Sequence, residues 1–320
     1  MLSEFQLIKG YFDRPTAHTT LGIGDDAALI HVSDGHTLAI STDMSLADTH
    51  FFANANPYDI GWKALAVNIS DMAAMGANPK WATLAIALPD VNPAWLQAFS
   101  RGFFDCATQF NVDLIGGDTT RGPLNISITI MGEVPTGKAL KRTQAQLGDD
   151  IWVSGELGNA NLGLMHLQQK LTLDEKTLAT CLAALHQPQP RVMLGCALTN
   201  IAHSCIDISD GVLADLSHIL QASNITHSMG AALQLEDLPC SANSKMHLKE
   251  THMQHAILAG GDDYELCFTA APHQRTAIGA LAQQLSIKLT RIGQTNATGK
   301  LTVTLENKAL NLQSMGYQHF

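Results

Sequence analysis

A chain of 320 residues is long enough for two domains of ordinary size or one large one, and its 46% hydrophobic content is that of a packed protein that folds without staples. A formal charge of -10 and a pI near 5.7 argue against the clustered Lys and Arg of a nucleic-acid footprint. The start carries no basic segment leading into an apolar one, and no apolar run nears the roughly 20 residues of a bilayer span. The expectation is a cytoplasmic protein without nucleic-acid or membrane partners.

In chain order, TLAIST at Thr37–Thr42 and WATLAIAL at Trp81–Leu88 suit buried strands, with a helix predicted between them over Tyr58–Met75. A second helix over Ala94–Phe110 leads to a short strand, Val112–Ile115, that delivers the chain to the pair Gly116 and Gly117, read as a turn. Asn125–Val134 alternates at period two, as a half-buried strand does. Pro135, Gly137 and Gly148 then interrupt the periodicity. That break divides the chain into residues 1–137 and 138–320. Beyond it come a strand at Ile151–Ser154, helices near Ala160–Lys170, Asp174–His186 and Arg191–Ala202, a strand at Cys205–Ile208 and a helix from Gly211 to about Ala222. A strand at Glu265–Ala270, a helix at Gln274–Leu285 and short strands near Arg291 and Leu301 close the chain. Strands and helices alternate in both halves, which predicts an α/β (α+β) protein.

The six cysteines, Cys106, Cys181, Cys196, Cys205, Cys240 and Cys267, form no CxxC and are expected to be core thiols. Aspartates are different. They recur, mostly beside glycines or at the ends of apolar runs, in GIGDDAALI (Gly22–Ile30), STDMSLADTH (Ser41–His50), GGDTTRG (Gly116–Gly122) and GGDDYEL (Gly260–Leu266), with Asp71 in NISDMAAMGA and Asp207 and Asp210 in IDISDG. Two like charges about 5 Å apart repel by roughly 0.8 kcal/mol in water and by about 3 kcal/mol at an effective dielectric near 20. Converging aspartates therefore call for divalent metal, and magnesium suits carboxylate, hydroxyl and water ligands shared with substrate phosphates.

Asp71 makes the case locally. Its helix is apolar nearly all round, with Trp62, Leu65, Ala66, Ile69 and Ala73 on one side and Ile60, Ala64, Val67, Ala74 and Met75 on the other. A carboxylate on a buried helix needs a partner: a metal ion, or a salt bridge or hydrogen bond to a neighbouring loop. In LIGGDTTRG the glycines would let bare backbone amides approach a phosphate while Asp118 binds its metal. The sequence has no GxxxxGK[ST], no kinase HRD or DFG set, no GxSxG and no HExxH, so an ATP site here is of another type.

GIGDDAAL, ISTDM followed by ADTHF, AVNISDMAAMGANP, LIGGDTTRGP, IDISDG and GGDDYELCF occur in this order from about Phe5 to the terminal GYQHF. Together they resemble the thiamine-monophosphate kinase family of the aminoimidazole-ribonucleotide-synthetase-like ATP-binding superfamily. The resemblance implies a two-domain fold: an N-terminal ATP- and metal-binding α/β domain whose sheet pairs with a second subunit's in a homodimer, and a C-terminal α+β domain covering the site. It implies transfer of the γ-phosphoryl group of ATP to thiamine monophosphate with several Mg2+ ions. Asp26, Ser41, Thr42, Asp43, Asp71, Asp118, Asp207 and Asp210 would bind metal. Gly117, Asp118, Arg142 and Ser209 would contact ATP. His50, Asp262, Asp263 and Tyr317 would face thiamine monophosphate.

Asp262 stands where the family often has Glu, so both acids of the pair are kept. The adenine-contacting aromatic of some members is not assigned to a residue around Ala98–Phe104. The acceptor is itself a phosphate monoester, largely dianionic near neutral pH, so no general base is assigned. Two rivals are set aside. A sister synthetase such as a selenophosphate synthetase would carry a reactive Cys near the start, whereas the first here is Cys106. A non-catalytic acidic metal-binding module would tolerate loss of Arg142 and His50.

Overall fold

The period-two run that starts at Asn125 becomes an interior strand of the first sheet in a computed structural model of the chain, which describes residues 3–224, 228–311 and 314–317. The packing separates two units, Met1–Met72 with Ala77–Gly137, and Ala73–Gly76 with Lys138–Phe320.

The first unit runs α1 (Glu4–Tyr11), β1 (Thr19–Leu21), β2 (Leu29–Ile30), β3 (His36–Leu46), α2 (Pro57–Ala74), β4 (Asn78–Leu88), α3 (Pro93–Phe110), β5 (Asp113–Arg121) and β6 (Asn125–Pro135). Its main sheet has the order β3-β6-β4-β5, antiparallel except for the β4/β5 pair. Alternation sorts the side chains. Ile126, Ile128 and Ile130 of β6 and Leu84 and Ile86 of β4 are buried on one face, each contributing roughly 1.5–3 kcal/mol of transfer free energy. Hydrogen bonds from β3 to Asn68 and Asp71 place α2 on that face. On the opposite face Ile40 and Met44 are more than half exposed, and Leu46 is exposed beside them.

Helices α2 and α3 approach closely where each has a glycine. A Cβ on Gly61 would strike the carbonyl of Phe99, and one on Gly102 that of Tyr58. Helix α3 starts on an Asn92 cap followed by Pro93 and stops at Asn111 in the left-handed region, φ 56°.

One reading needs correction here. Gly116 and Gly117 do not end a strand in a turn, because β5 continues through them to Arg121. The register shifts between Ala82 and Thr83 of β4, and Gly117, at φ 150°, lies against the backbone of Leu84. Gly117→Ala is therefore expected to cost roughly 1–3 kcal/mol in urea unfolding. Gly116→Ala, whose Cβ would meet only Thr83 Cγ2 at 4.0 Å, should leave the midpoint unchanged. Equal effects from the two would contradict the assigned close approach.

The second unit runs β7 (Asp150–Ser154), α4 (Asn159–Leu167), α5 (Glu175–His186), α6 (Val192–Leu198), β8 (Ser204–Asp207), α7 (Val212–Ala222), β9 (Gly230–Gln234), α8 (Ala242–Met246), α9 (Thr251–Leu258), β10 (Leu266–Ala270), α10 (Arg275–Leu285), β11 (Leu289–Asn296), β12 (Leu301–Leu305) and β13 (Lys308–Ala309). The sheet order is β13-β12-β9-β11-β7-β10-β8, antiparallel except for β12/β9. Ile151, Val153, Ile206, Leu216, Ile219, Leu233, Ile257 and Ile292 belong to its core.

Elements unread in the sequence are short or polar. They include α1, with its Ser3–Gln6 capping box, β9, which opens on a glycine, and α8 and α9 in a stretch rich in Lys, His and Ser. Five of the six cysteines are buried, Cys196 is half-buried, and all are free thiols. Among the described residues no helix is long and apolar enough to cross a membrane.

Candidate active site

The expected site residues fall into one group in each unit. In the first, Ser41 and Asp43 stand two apart on β3 and so share its helix-covered face. Ser41 Oγ donates to Asp71 Oδ2 of α2 at 2.5 Å, and the Asp43 amide donates to Asn68 Oδ1 at 3.2 Å. Asn68, 1% exposed, is held in turn by its Nδ2 donating to the Ala64 carbonyl at 3.0 Å. The Asp43 carboxyl is pushed up to about 6, first by burial and then by the charge of Asp71.

Thr42 does not join this seam. Its hydroxyl lies on the other face of the strand, 2.8 Å from Thr129 Oγ1, because consecutive strand residues point to opposite sides. Gly117 and Asp118 are on β5, the far edge of the sheet from β3, and Asp118 pairs in register with Ala85 on the open face. Three strand spacings, roughly 14 Å along the sheet, separate Asp43 from Asp118. Within one chain they cannot share a magnesium whose ligands lie about 2.1 Å from it.

Asp26 is exposed in the β1–β2 connection. That hairpin is tied to the start of β5 by Asp113, which accepts from the amides of Ala17 and His18 and from the Thr19 hydroxyl. His50 closes the turn after β3. Its Nδ1 accepts the Leu46 amide at 3.1 Å and its own amide donates to the Leu46 carbonyl at 2.9 Å, so the proton of the neutral ring is on Nε2.

In the second unit the IDISDG and GGDDY loops interlock through their backbones. Asp262 N donates to Ser209 O at 2.9 Å, Tyr264 N to Ile208 O at 2.8 Å, and Tyr317 N to Asp210 O at 3.0 Å. This brings Asp207, Ser209, Asp210, Asp262, Asp263 and Tyr317 to one end of β8. Residues 318–320 of the terminal motif lie outside the described residues. Asp263 accepts the Gly158 amide, yet its carboxyl lies well above the usual range because burial and then the charges of Glu265, Asp262 and Asp215 outweigh that bond. A cavity of about 410 Å³ adjoins it, with Asn159, Gln187, Arg191, Asp263 and Glu265 among its walls.

The Arg142 carbonyl accepts from Ser223 Oγ at 2.9 Å, just past the C-terminal end of α7, and the carbonyl of the preceding Lys141 accepts the Cys205 amide at 3.1 Å at the start of β8, the strand that leads into IDISDG.

Four polar residues, Asp215, Arg191, Glu265 and Ser154, were missed. Asp215, 2% exposed, takes the amides of Ser209, Asp210 and Gly211 on one oxygen, and its carboxyl is raised to about 7 by burial first and then by Asp207. Arg191 grips Glu265 through two nitrogens, and Ser154 donates to the same carboxylate. The argument that flagged Asp71, a lone acid on an apolar helix, would have flagged Asp215 in VLADLSHIL as well.

Among the described residues, no group of three or more His, Cys, Asp or Glu could hold a metal by itself. Magnesium nevertheless fits the donors present. It needs only one or two carboxylates beside water and phosphate oxygens, and the Ser41–Asp43–Asp71 seam offers oxygens alone, with a half-buried carboxylate that a cation would relieve.

The first unit is of the AIR-synthase-related class: residues 24–134 match the family described as AIR synthase related protein, N-terminal domain. The chain is 44% identical over 322 residues to the thiamine-monophosphate kinase of Escherichia coli, covering 99% of this chain and 98% of that one. The crystal structure of thiamine-monophosphate kinase from Stenotrophomonas maltophilia superposes with a TM-score of 0.83 at 45% identity, covering 92% of each chain. AaThiL complexed with AMPPCP and TMP gives 0.77 at 27% identity, over 99% of this chain and 97% of that one. The chain belongs to the thiamine-monophosphate kinase family.

Proposed function

We propose that this protein transfers the γ-phosphoryl group of ATP to thiamine monophosphate, giving thiamine diphosphate and ADP, the last step of thiamine diphosphate biosynthesis. The observation that carries the mechanism is the meeting of Asp43, Asp71 and Ser41 across β3 and α2, an oxygen-only seam suited to Mg2+ at a phosphate. Bound magnesium would supply charge neutralisation on the transferring group, which is most of what phosphoryl transfer asks of a protein.

The residues divide the work. In residues 1–137, the ATP- and metal-binding domain, Asp43 and Asp71 with Ser41 hold one metal position, Asp26 and Asp118 serve others, and the bare backbone at Gly117 meets the nucleotide. Thr42 is left with its main chain to offer. In residues 138–320, Asp207 and Asp210 bind metal, Ser209 contacts ATP and Arg142 is a phosphate clamp. Asp262, Asp263 and Tyr317 face the acceptor, and the cavity beside Asp263, walled by more acids than bases, suits a cationic thiazolium. The acceptor oxygen belongs to a phosphate already largely dianionic, so transfer is a direct in-line displacement without a protein base. The open face with Ile40, Met44 and Leu46 supports a homodimer. The absence of a membrane-length helix among the described residues fits a cytoplasmic enzyme.

The test is chromatography of products after incubation with ATP, magnesium and thiamine monophosphate, with EDTA and no-acceptor controls. Metal-dependent thiamine diphosphate with equimolar ADP is expected; ATP consumption without thiamine diphosphate would reject the acceptor. His50→Ala should raise the KM for thiamine monophosphate about tenfold and that for ATP little. The reverse split in steady-state kinetics would move His50 to the nucleotide.

A further inference from the structure

We propose that Asp215 is a positioning residue: its carboxylate sets the three peptide planes of the Ile208–Gly211 loop and thereby locks the metal-facing and acceptor-facing loops of the second unit into one arrangement. The inference rests on the reading of those loops given above, and it adds a residue that contacts neither substrate.

Asp215 Oδ2 accepts from the amides of Ser209, Asp210 and Gly211, each at 3.1 Å. Three donors on one oxygen exceed what a neutral carbonyl's two lone pairs accommodate well, so the arrangement calls for a carboxylate. Asp215 lies in the first turns of α7, whose preceding Gly211 has no capping side chain. The helix thus caps its own entry from within, satisfying amides that would otherwise be orphaned.

The consequence follows from the planar trans peptide, in which N–H and C=O point in opposite directions. Turning the amide of Ser209 toward Asp215 turns the carbonyl of Ile208 outward, where Tyr264 N meets it at 2.8 Å. The amide of Asp210 and the carbonyl of Ser209 are coupled in the same way, and the carbonyl receives Asp262 N at 2.9 Å. The third plane pairs the amide of Gly211 with the carbonyl of Asp210, which receives Tyr317 N at 3.0 Å. Each inward bond to Asp215 therefore corresponds to one outward bond, two of them to the GGDDY loop and the third to Tyr317.

Glycines at the contacts leave little slack. A Cβ on Gly211, at φ 118°, would meet the backbone of Ala259, one on Gly261 the carbonyl of Ser209, and one on Gly316 the carbonyl of Asp210 at 2.7 Å. A shift of the loop is passed on to Asp262, Asp263 and Tyr317 as directly as to Ser209 and Asp210.

Asp215→Asn keeps the shape and removes the charge. In a folded variant, amide hydrogen exchange without substrate should quicken together at 208–211, 261–264 and 316–317, while β7 keeps its protection. In steady-state assays the half-activating magnesium concentration and the KM values for ATP and thiamine monophosphate should all rise about tenfold, a joint change that simple loss of stability does not produce. Faster exchange confined to 208–211, or magnesium activation and both KM values within about twofold of wild type, overturns the proposal. Asp215→Ser, which can still accept an amide, carries the test if the Asn variant does not fold; failure of both to fold would assign Asp215 to the fold and overturn its positioning role. Wild type in the same assays separates the two ideas, because absent thiamine diphosphate there rejects the kinase reading while the exchange measurement still tests the coupling.

Discussion

Asp43→Asn is expected to lower kcat by roughly 10³-fold, a loss of several kcal/mol of metal-borne charge stabilisation, and at the same time to raise the melting temperature of the metal-free protein. The two effects have one cause. The Asp43 carboxyl is carried from an ordinary value of 3.8 to about 6 by burial and by Asp71, so keeping it ionised in the metal-free fold costs about 3 kcal/mol.

The sign is that of a raised acid. The folded state binds the proton more tightly than the unfolded chain does, so wild type in EDTA gains stability as pH falls from above 6 to below 3.8, and loses it as pH rises through 6. Asparagine has no such dependence. The variant's advantage should be several degrees at pH 7.5 and fade toward pH 4.5, and saturating magnesium should remove it at every pH by stabilising only wild type. Thermal melts with and without EDTA decide the matter. An Asn variant that melts like wild type across this range would remove Asp43 from the half-buried pair with Asp71.

Arg191→Ala should destabilise the second unit by about 3 kcal/mol, because it strips the bidentate partner from Glu265, a carboxylate only 6% exposed. What remains is the Ser154 hydroxyl, itself fixed by the Leu266 amide at 2.9 Å. Glu265 follows Asp262 and Asp263, the acids proposed to face the acceptor, and walls the same cavity as Asp263, so the KM for thiamine monophosphate should rise with the loss of stability. The double variant Arg191→Met with Glu265→Gln removes both charges and should recover most of the stability. Urea unfolding of the four proteins gives the coupling, and a coupling near zero would reduce the pair to a surface contact.

The difference between what was legible and what was not is one of range. Asp71 could be found because a helix's own periodicity shows which of its residues are buried, and Asn125–Val134 because strand alternation is equally local. The motif as a block did not show that the Thr42 hydroxyl lies apart from its neighbours, since a strand sends Ser41 and Asp43 to the opposite side. The glycine pair at Gly116 was read as a turn because a close approach to Leu84 of another strand leaves no trace in the local pattern. Arg191 and Glu265 meet across 74 positions of sequence, and Asp215, although its apolar helix marks it as an acid in need of partners, finds them in main-chain amides that no residue pattern specifies. The assignment to the C-terminal loops came from motifs; their interlocking came only with the fold.

The order of strands in the first sheet also shapes how the chain is made. Strand β6 lies between β3 and β4 yet is the last of the four to be synthesised, with His36 paired to Pro135 and Leu46 to Asn125. At ribosomal rates, β3 waits roughly 5–20 seconds for its partner. Its alternation exposes Ile40 and Met44 on one side and the unpaired Ser41–Asp43 segment on the other throughout that interval. Meanwhile β4, α3 and β5 form a parallel strand-helix-strand unit from consecutive sequence. A nascent chain stalled before Asn125 would thus carry a settled half-sheet and a bare edge strand, the species on which a holding chaperone would act.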